Sequence, residues 1–357
     1  MDFGMCVATK LTDVDECVAF EELGFDSIWV PDSQMIWSDC YAYLALAAER
    51  TETIRLGTGV SVAGTRIPPV TAHSIASINT LAPGRTFLGM GAGNSAHRFL
   101  DHKPLPIKKY GEELRVIRAL LHGEEVEYTF RGKTAPTRLL MADRGYVNLD
   151  PPVPMLVSGF GPKSQALAGM YGDGLVTSLP PEPRAIVRAL ETALRGAASV
   201  DRILPDPFPV VSLTNIVVLE PGESMTSERV IEENGPFVIS SLHYLYDKIR
   251  QYGGESPHHL RGMWDDYTAV VERGPEHIRH LRIHDGHCTF LRDDERRFVT
   301  EELIRQTCIV GTAPEVAAKI AALDEAGLSE IMLLPAPGTQ VRVAEQLARD
   351  VFPLLAA

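Results

Sequence analysis

From its first residues to about residue 121, the chain alternates short, almost wholly apolar runs with stretches that repeat apolar residues at helical spacing. This alternation narrows the possible folds more than any other feature. Residues 3–8 predict a strand, and residues 13–23 a helix with Val14, Cys17, Val18 and Leu23 along one side before Gly24 stops it. The pattern repeats with a strand over 27–30 and a helix over 41–50, then a strand over 54–62 and a helix over 71–81. A turn at Pro83-Gly84 precedes a strand over 86–90, and residues 109–121 form a helix whose buried stripe is Leu114, Ile117, Leu120 and Leu121. Four strand–helix pairs in succession require a parallel sheet, because parallel neighbours need crossover connections. Strands this uniformly apolar are those covered on both faces.

The rhythm breaks over 123–152, where residues 124–130 and 137–140 suggest a small hairpin. It resumes with strands over 153–158, 174–178, 210–218 and 328–334, and with helices over 164–170, 183–194, 314–326 and 341–351. The count reaches eight strands, so the expected fold is α/β: a single (β/α)8 TIM barrel over residues 1–357. An open, doubly wound sheet is the structural alternative. Residues 220–310 are far too many for a connection of about 2–6 residues. They are expected to form a helical insertion or lid between strands seven and eight, with helices over 230–252 and 264–273.

The formal net charge of -13 opposes binding to a phosphate backbone. Arg282, Arg292, Arg296 and Arg297 are interleaved with Asp285, Asp293, Asp294 and Glu295, so no basic patch offsets that charge and nucleic acid is excluded as a partner. The five cysteines form no CxxC pair, which points to free thiols in a reducing compartment. The first twenty residues are acidic where a secretory signal would be basic, and no apolar run reaches the roughly 18 residues of a membrane span. A cytoplasmic protein with no membrane partner is expected.

Several phrases carry a resemblance: FEELGFDSIWVPDS, the strand over 54–60 followed by Thr65-Arg66, LAPGRTFLGMGAGN, KYGEELRVIRALLHGEEV, VPMLVSGFGPKSQALAGMYGDG and IVGTAPEVAAKIAALDEAGLSEIMLL. Their wording and order resemble the luciferase-like family of flavin- and deazaflavin-dependent oxidoreductases, including its methylenetetrahydromethanopterin reductase-like branch. The resemblance spans most of the chain and is weakest over 220–310. It implies a cofactor ring at the end of the barrel where the strands finish, which is the end at which such barrels keep their active sites.

Ser158, Gly159, Phe160, Gly161, Pro162, Lys163 and Ser164 follow an apolar strand and open a helix. Backbone amides at Gly159, Gly161 and Lys163, aided by the helix dipole, are suited to an anion, while Lys163 and Ser164 add a charge and a donor. The resemblance makes that anion the cofactor phosphate; the plainer alternative is a tight turn with Pro162 at the first helical position. Thr177 and Ser178 end the next strand and either complete the cradle or satisfy strand-end backbone. Gly91, Gly93 and Asn94 lie in GMGAGNS, which imitates a dinucleotide turn. No acidic residue ends a strand about 20 residues later, as that fingerprint requires, and the resemblance instead places the ring beside these residues.

After the second strand stand Asp32, Ser33 and Trp37. Many relatives, especially those using the deazaflavin, have Asp-His at the first two positions, and a serine of ordinary acidity cannot replace imidazole as an acid–base near neutral pH. Asp32 and Trp37 remain candidates for bonding and walling the ring, with helix capping and a surface hydrophobe as their plainer roles. Ser61 and Arg66 follow strand three, with Arg66 a candidate for orienting an anionic group. His73, on the next helix, is a low-ranked catalytic candidate beside its structural alternative.

Of the histidines in the insertion, His280 and His284 have the four-residue spacing of one helix face. Leu281 stands where an HExxH glutamate would be, so no metal is assigned. The expected activity is that of an FMNH2-dependent monooxygenase on a small organic substrate, cyclic or aromatic, with molecular oxygen as co-substrate and reduced FMN supplied by a separate flavin reductase. The alternatives are F420-dependent hydride transfer and, in a different class, a flavin-binding protein without catalysis. The resemblance implies a homodimer paired through outer helices.

Overall fold

Apolar strands separated by amphipathic helices bury both sheet faces only if the sheet is wrapped, and the computed structural model, which describes residues 1–356, shows that wrapping closed. Strands β1 (Asp2–Cys6), β2 (Ser27–Val30), β3 (Arg55–Val62) and β4 (Thr86–Gly91) are followed by the hairpin β5 (Val126–Phe130) and β6 (Lys133–Thr137). Then come β7 (Met155–Ser158), β8 (Gly174–Thr177), β9 (Val210–Leu213), β10 (Asn215–Val218), β11 (Cys308–Gly311) and β12 (Glu330–Leu333). Eight of these close a barrel in the order β1-β12-β9-β8-β7-β4-β3-β2, with every resolved pairing parallel. The chain divides into two compact units, and the barrel belongs to the first: Met1–Gly93, Leu105–Leu213 and Leu323–Met332.

In this unit each helix buries apolar side chains along one side. The helices are α1 (Glu16–Glu22), α2 (Cys40–Arg50), α3 (Pro68–Leu81), α5 (Ile107–Leu121), α6 (Pro162–Tyr171) and α7 (Pro183–Ala198), while α4 (Asn94–Arg98) falls in the second unit. The predicted stripe of α5 is fully buried at Leu114, Ile117 and Leu120. Inside the barrel Trp29 packs against Phe87, ring centroids 4.3 Å apart. Tyr110 of α5 donates from its hydroxyl to the carbonyls of Met90 (2.6 Å) and Ser158 (3.4 Å), tying the ends of β4 and β7 together.

The second unit, Asn94–Pro104, Thr214–Ala322 and Leu333–Ala357, is mainly helical. It contains α8 (Glu228–Tyr252), α9 (Arg261–Val271), α10 (Arg279–Ile283), α11 (Glu301–Thr307), most of α12 (Ala313–Glu325), α13 (Gln340–Asp350) and α14 (Phe352–Leu355). It also has a sheet that the sequence reading did not separate. The strand predicted over 210–218 breaks at Thr214: β9 belongs to the barrel, whereas β10 pairs in parallel with β11. The break is fixed by side chains. Thr214 Oγ1 donates to the Thr307 carbonyl (2.8 Å), and the Asn215 amide bonds both the nitrogen and the oxygen of Leu334 while meeting Asn234. Among the described residues no helix is long and apolar enough to cross a membrane, and the five cysteines are buried and form no disulfide.

Candidate active site at the strand ends

Because every barrel strand runs the same way, the residues that finish β2, β3, β4, β7, β8 and β9 gather at one end. After β2, Asp32 is almost fully buried. Its Oδ2 accepts from Arg66 Nη1, from the Val62 amide (3.3 Å) and from Ser61 Oγ (3.4 Å). Arg66 also reaches Asp39 (3.0 Å), and its guanidinium lies 5.1 Å from the centre of the Tyr41 ring. Tyr41 Oη and Ser61 Oγ share a hydrogen bond of 3.0 Å. Asp32, Ser61 and Arg66 thus converge, and Arg66 is committed to two carboxylates. That makes it a group that positions Asp32 rather than a free anion receptor.

Ser33 and Trp37 are half-buried in the turn after β2, where the Ser33 carbonyl accepts from the amides of Ile36 and Trp37. His73 is not brought to this group. It lies on the exposed face of α3, with Ala72, Ile75 and Ala76 buried on the other side, so the catalytic role considered for it has no support in the geometry.

The β3–β4 pair is irregular between Thr58 and Ser61, where the Gly59–Val60 peptide is cis. Val60 fills the space beside Gly91: a Cβ at that position would sit 2.5 Å from Val60 Cγ2. The absent side chain at Gly91 therefore makes room for the protein's own bulge. Gly93 has φ of 79°, and Asn94 follows it as the first residue of α4, half-buried.

Ser158 ends β7, and the phosphate-cradle candidates follow. Gly159 and Gly161 differ sharply. A Cβ on Gly159 would lie 2.6 Å from the Gln165 nitrogen and 2.7 Å from the Ser164 carbonyl carbon, whereas one on Gly161 would meet nothing within 4 Å. Gly159 is needed to fold the turn back on α6; Gly161 faces open space. Gly161 caps α6, Pro162 occupies its first turn, and the Gln165 amide already bonds the Gly161 carbonyl (2.9 Å). The amides of Lys163 and Ser164 have no intrahelical acceptor, as at any helix start. Ser164 Oγ donates to the Gly161 carbonyl (3.0 Å) and accepts from its amide (3.3 Å), so this hydroxyl shapes the turn, while the Lys163 side chain is exposed.

Thr177 and Ser178 close β8, with different fates. Ser178 Oγ donates to the Leu213 carbonyl (3.1 Å) and serves the backbone. Thr177 Oγ1 is buried without a hydrogen-bond partner, and so is Ser212 Oγ, which stands opposite it in the β8–β9 register. Leaving such a hydroxyl unsatisfied costs about 1–3 kcal/mol. Ser212 escaped the sequence reading because a lone serine in the apolar run VVSL carries no local signal; only its register against Thr177 marks it. A helix start after β7, with two orphaned hydroxyls on β8 and β9, the next strands in the sheet order, has donor groups of the kind a phosphate takes.

A closed parallel barrel with helices outside it is the architecture of α/β enzymes that keep their active sites where the strands finish. Residues 10–330 match the family model described as luciferase-like monooxygenase, so the chain belongs to the luciferase-like superfamily of flavin- and deazaflavin-dependent oxidoreductases. It is 34% identical over 208 residues to an F420-dependent glucose-6-phosphate dehydrogenase of Beutenbergia cavernae, covering 53% of this chain and 59% of that protein. It is 25% identical over 345 residues to a 5,10-methylenetetrahydromethanopterin reductase of Archaeoglobus fulgidus, covering 94% and 93%. The structure of the coenzyme F420 dependent tetrahydromethanopterin reductase from Methanopyrus kandleri superposes with a TM-score of 0.70 at 21% identity, covering 99% of this chain and 98% of that one.

Proposed function

We propose that this chain is an F420-dependent hydride-transfer oxidoreductase acting on a small organic substrate. The reading is carried by the F420-dependent relative at 34% identity, and it replaces the FMNH2-dependent monooxygenase expected from sequence. A deazaflavin, when bound, accepts or donates a hydride and does not require oxygen, while the protein supplies binding, orientation and exclusion of water.

The residues suited to hold the cofactor phosphate are the amides of Lys163 and Ser164 at the start of α6, with the hydroxyls of Thr177 and Ser212 beside that turn in the sheet order. Asp32 is held in one orientation by Arg66, Ser61 and the Val62 amide, which gives the strand ends a fixed acceptor. Ser33 stands where the resembling dehydrogenases carry a histidine. Any proton that accompanies hydride transfer must therefore pass through another group or water, and the substrate need not be a sugar phosphate. The same serine favours the oxygen-using reading.

Titration of the purified protein with F420 and, separately, with FMN tests the proposal. Tighter binding of F420 by at least about tenfold, followed by anaerobic reduction of bound F420 by an alcohol from a substrate panel, is the expected result. Preferential FMN binding with oxygen consumed in step with an oxygenated product would install the monooxygenase instead.

A further inference from the structure

In the second unit three histidines converge that no sequence spacing links. His243 lies on α8, and His284 and His287 lie in the turn that follows α10; one ring nitrogen from each falls within 4.8 Å of the others. His280, the four-residue neighbour of His284, is not among them. The outward nitrogens are all engaged. His243 Nε2 meets Glu295 Oε1 at 2.8 Å, His284 Nε2 meets Asp247 Oδ2 at 3.0 Å, and His287 Nε2 meets Ser95 Oγ at 3.2 Å. The three Nδ1 atoms are buried and have no hydrogen-bond partner.

An imidazole that donates its Nε2–H to a carboxylate presents a bare lone pair on Nδ1, the form in which histidine binds metals, and such outer carboxylates fix the tautomer and ring orientation. The two carboxylates are balanced in turn, Glu295 by Arg292 at 2.9 Å and Asp247 by the buried Arg98 at 3.6 Å. Phe99 sets its edge against His284 and His287, centroids 4.9 and 5.8 Å away, and walls the cluster with an apolar ring. Three buried Nδ1 atoms without a partner, on rings that converge at one place, have no explanation within the described residues.

We infer that His243, His284 and His287 bind one divalent first-row transition cation through their Nδ1 atoms, with Glu295, Asp247 and Ser95 orienting the rings. Three imidazole nitrogens suit zinc, cobalt, nickel or copper rather than magnesium or calcium. For zinc the bonds are about 2.0–2.1 Å, so the rings draw together slightly on binding, and a fourth position is left for water. Because α8 and the 284–287 turn are far apart in sequence, the ion would clip them together.

The full-length protein, stripped with a chelator and dialysed, is titrated with Co2+ and then Zn2+. The expected result is one equivalent of Co2+ per chain, with visible d–d absorption of a low-symmetry nitrogen site, displaced by one equivalent of Zn2+. Zn2+ should also raise the melting temperature of the stripped protein. His287→Asn, the replacement at the least buried of the three, should lower Co2+ affinity at least a hundredfold while the protein stays folded by circular dichroism. Asp247→Asn, which keeps all three ligands, should lower it about 10–100-fold. Folded wild type that takes up no stoichiometric Co2+ and gains no stability from Zn2+ would overturn the inference and leave a buried water as the partner of these nitrogens. Unchanged Co2+ affinity in folded His287→Asn would overturn it as well.

Discussion

The two ends of the barrel treat their buried polar groups in opposite ways. Where the strands begin, Glu330 of β12 is nearly inaccessible. It accepts from Ser27 Oγ, from Trp29 Nε1 at 2.6 Å and from Arg55 Nη2 at 3.2 Å, and Arg55 is shared with Asp2 at 2.8 Å. Where the strands finish, Thr177 and Ser212 are buried just as deeply and meet nothing, and Gly161 borders open space. Native structures rarely leave buried polar atoms unpaired, and those that remain call for an outside partner. The closed network reads as stability and the open one as a place for a ligand, in keeping with the general division of labour between the two ends of such barrels.

The hardest test of this contrast is to break the closed end. Glu330→Ala removes one acceptor from three donors and should cost about 1–3 kcal/mol, measured by urea unfolding, because the buried Ser27 and Trp29 donors lose their acceptor while Arg55 keeps Asp2. Binding of F420 by the folded fraction should not change; a loss of affinity larger than a few-fold would mean that the two ends are not independent. The same residue gives a pH signature. Burial raises the Glu330 pKa above its ordinary value, with Arg55 opposing. Its stabilising contribution is therefore complete below the unfolded-state pKa and is lost as pH rises through the folded-state value. Glu330→Gln, which cannot ionise, should thus compare more favourably with the wild type at about pH 7 than at about pH 4. A gap that moves the other way would show that the ion pair with Arg55 outweighs burial.

Much of the barrel could be read from sequence, because an apolar run between helical periods leaves a strand few choices. The end of the seventh strand could not. Residues 210–218 are apolar throughout except for Ser212, Thr214 and Asn215, and hydrophobicity does not reveal that a run changes hydrogen-bonding partner halfway. That change is made by the side chains of Thr214 and Asn215, whose partners Thr307 and Leu334 lie about a hundred residues away. The site divides on the same line. The turn at 158–164 and the Asp32 loop announce themselves locally, through glycine, proline and position after a strand. The pairing of Arg66 with Asp32, the register of Thr177 against Ser212 and the meeting of His243 with His284 and His287 are all long-range facts. For His73 the chemistry is visible in sequence while its exposed position on α3 is not.

Within the open end, the two cradle glycines sharpen the comparison further. Gly159→Ala forces a methyl against the first turn of α6 and should lower stability by about 1–3 kcal/mol, with cofactor affinity falling as the turn shifts. Gly161→Ala meets no protein atom and should change stability by no more than about 0.5 kcal/mol, yet still weaken phosphate binding by crowding the open face. Thermal melts alongside inorganic phosphate and F420 titrations separate the two. If Gly161→Ala binds both ligands as the wild type does, the open face is not where the phosphate sits.

The smallest effect is also the most direct reading of the orphaned hydroxyls. Thr177→Val keeps the side-chain shape and Ser212→Ala removes a single oxygen, so each deletes a buried group that has no partner in the free protein. Where an unsatisfied hydroxyl carries a desolvation penalty, its removal should leave the free protein as stable as before or raise its stability by up to about 1 kcal/mol. The same changes should weaken F420 binding by a few-fold to tenfold each, since the cofactor loses a donor it would otherwise meet. Opposite signs on stability and affinity from one substitution are what a preorganised ligand contact produces. If both variants instead lose stability while affinity stays constant, these hydroxyls are bonded to structural water, and the open end is less open than its geometry implies.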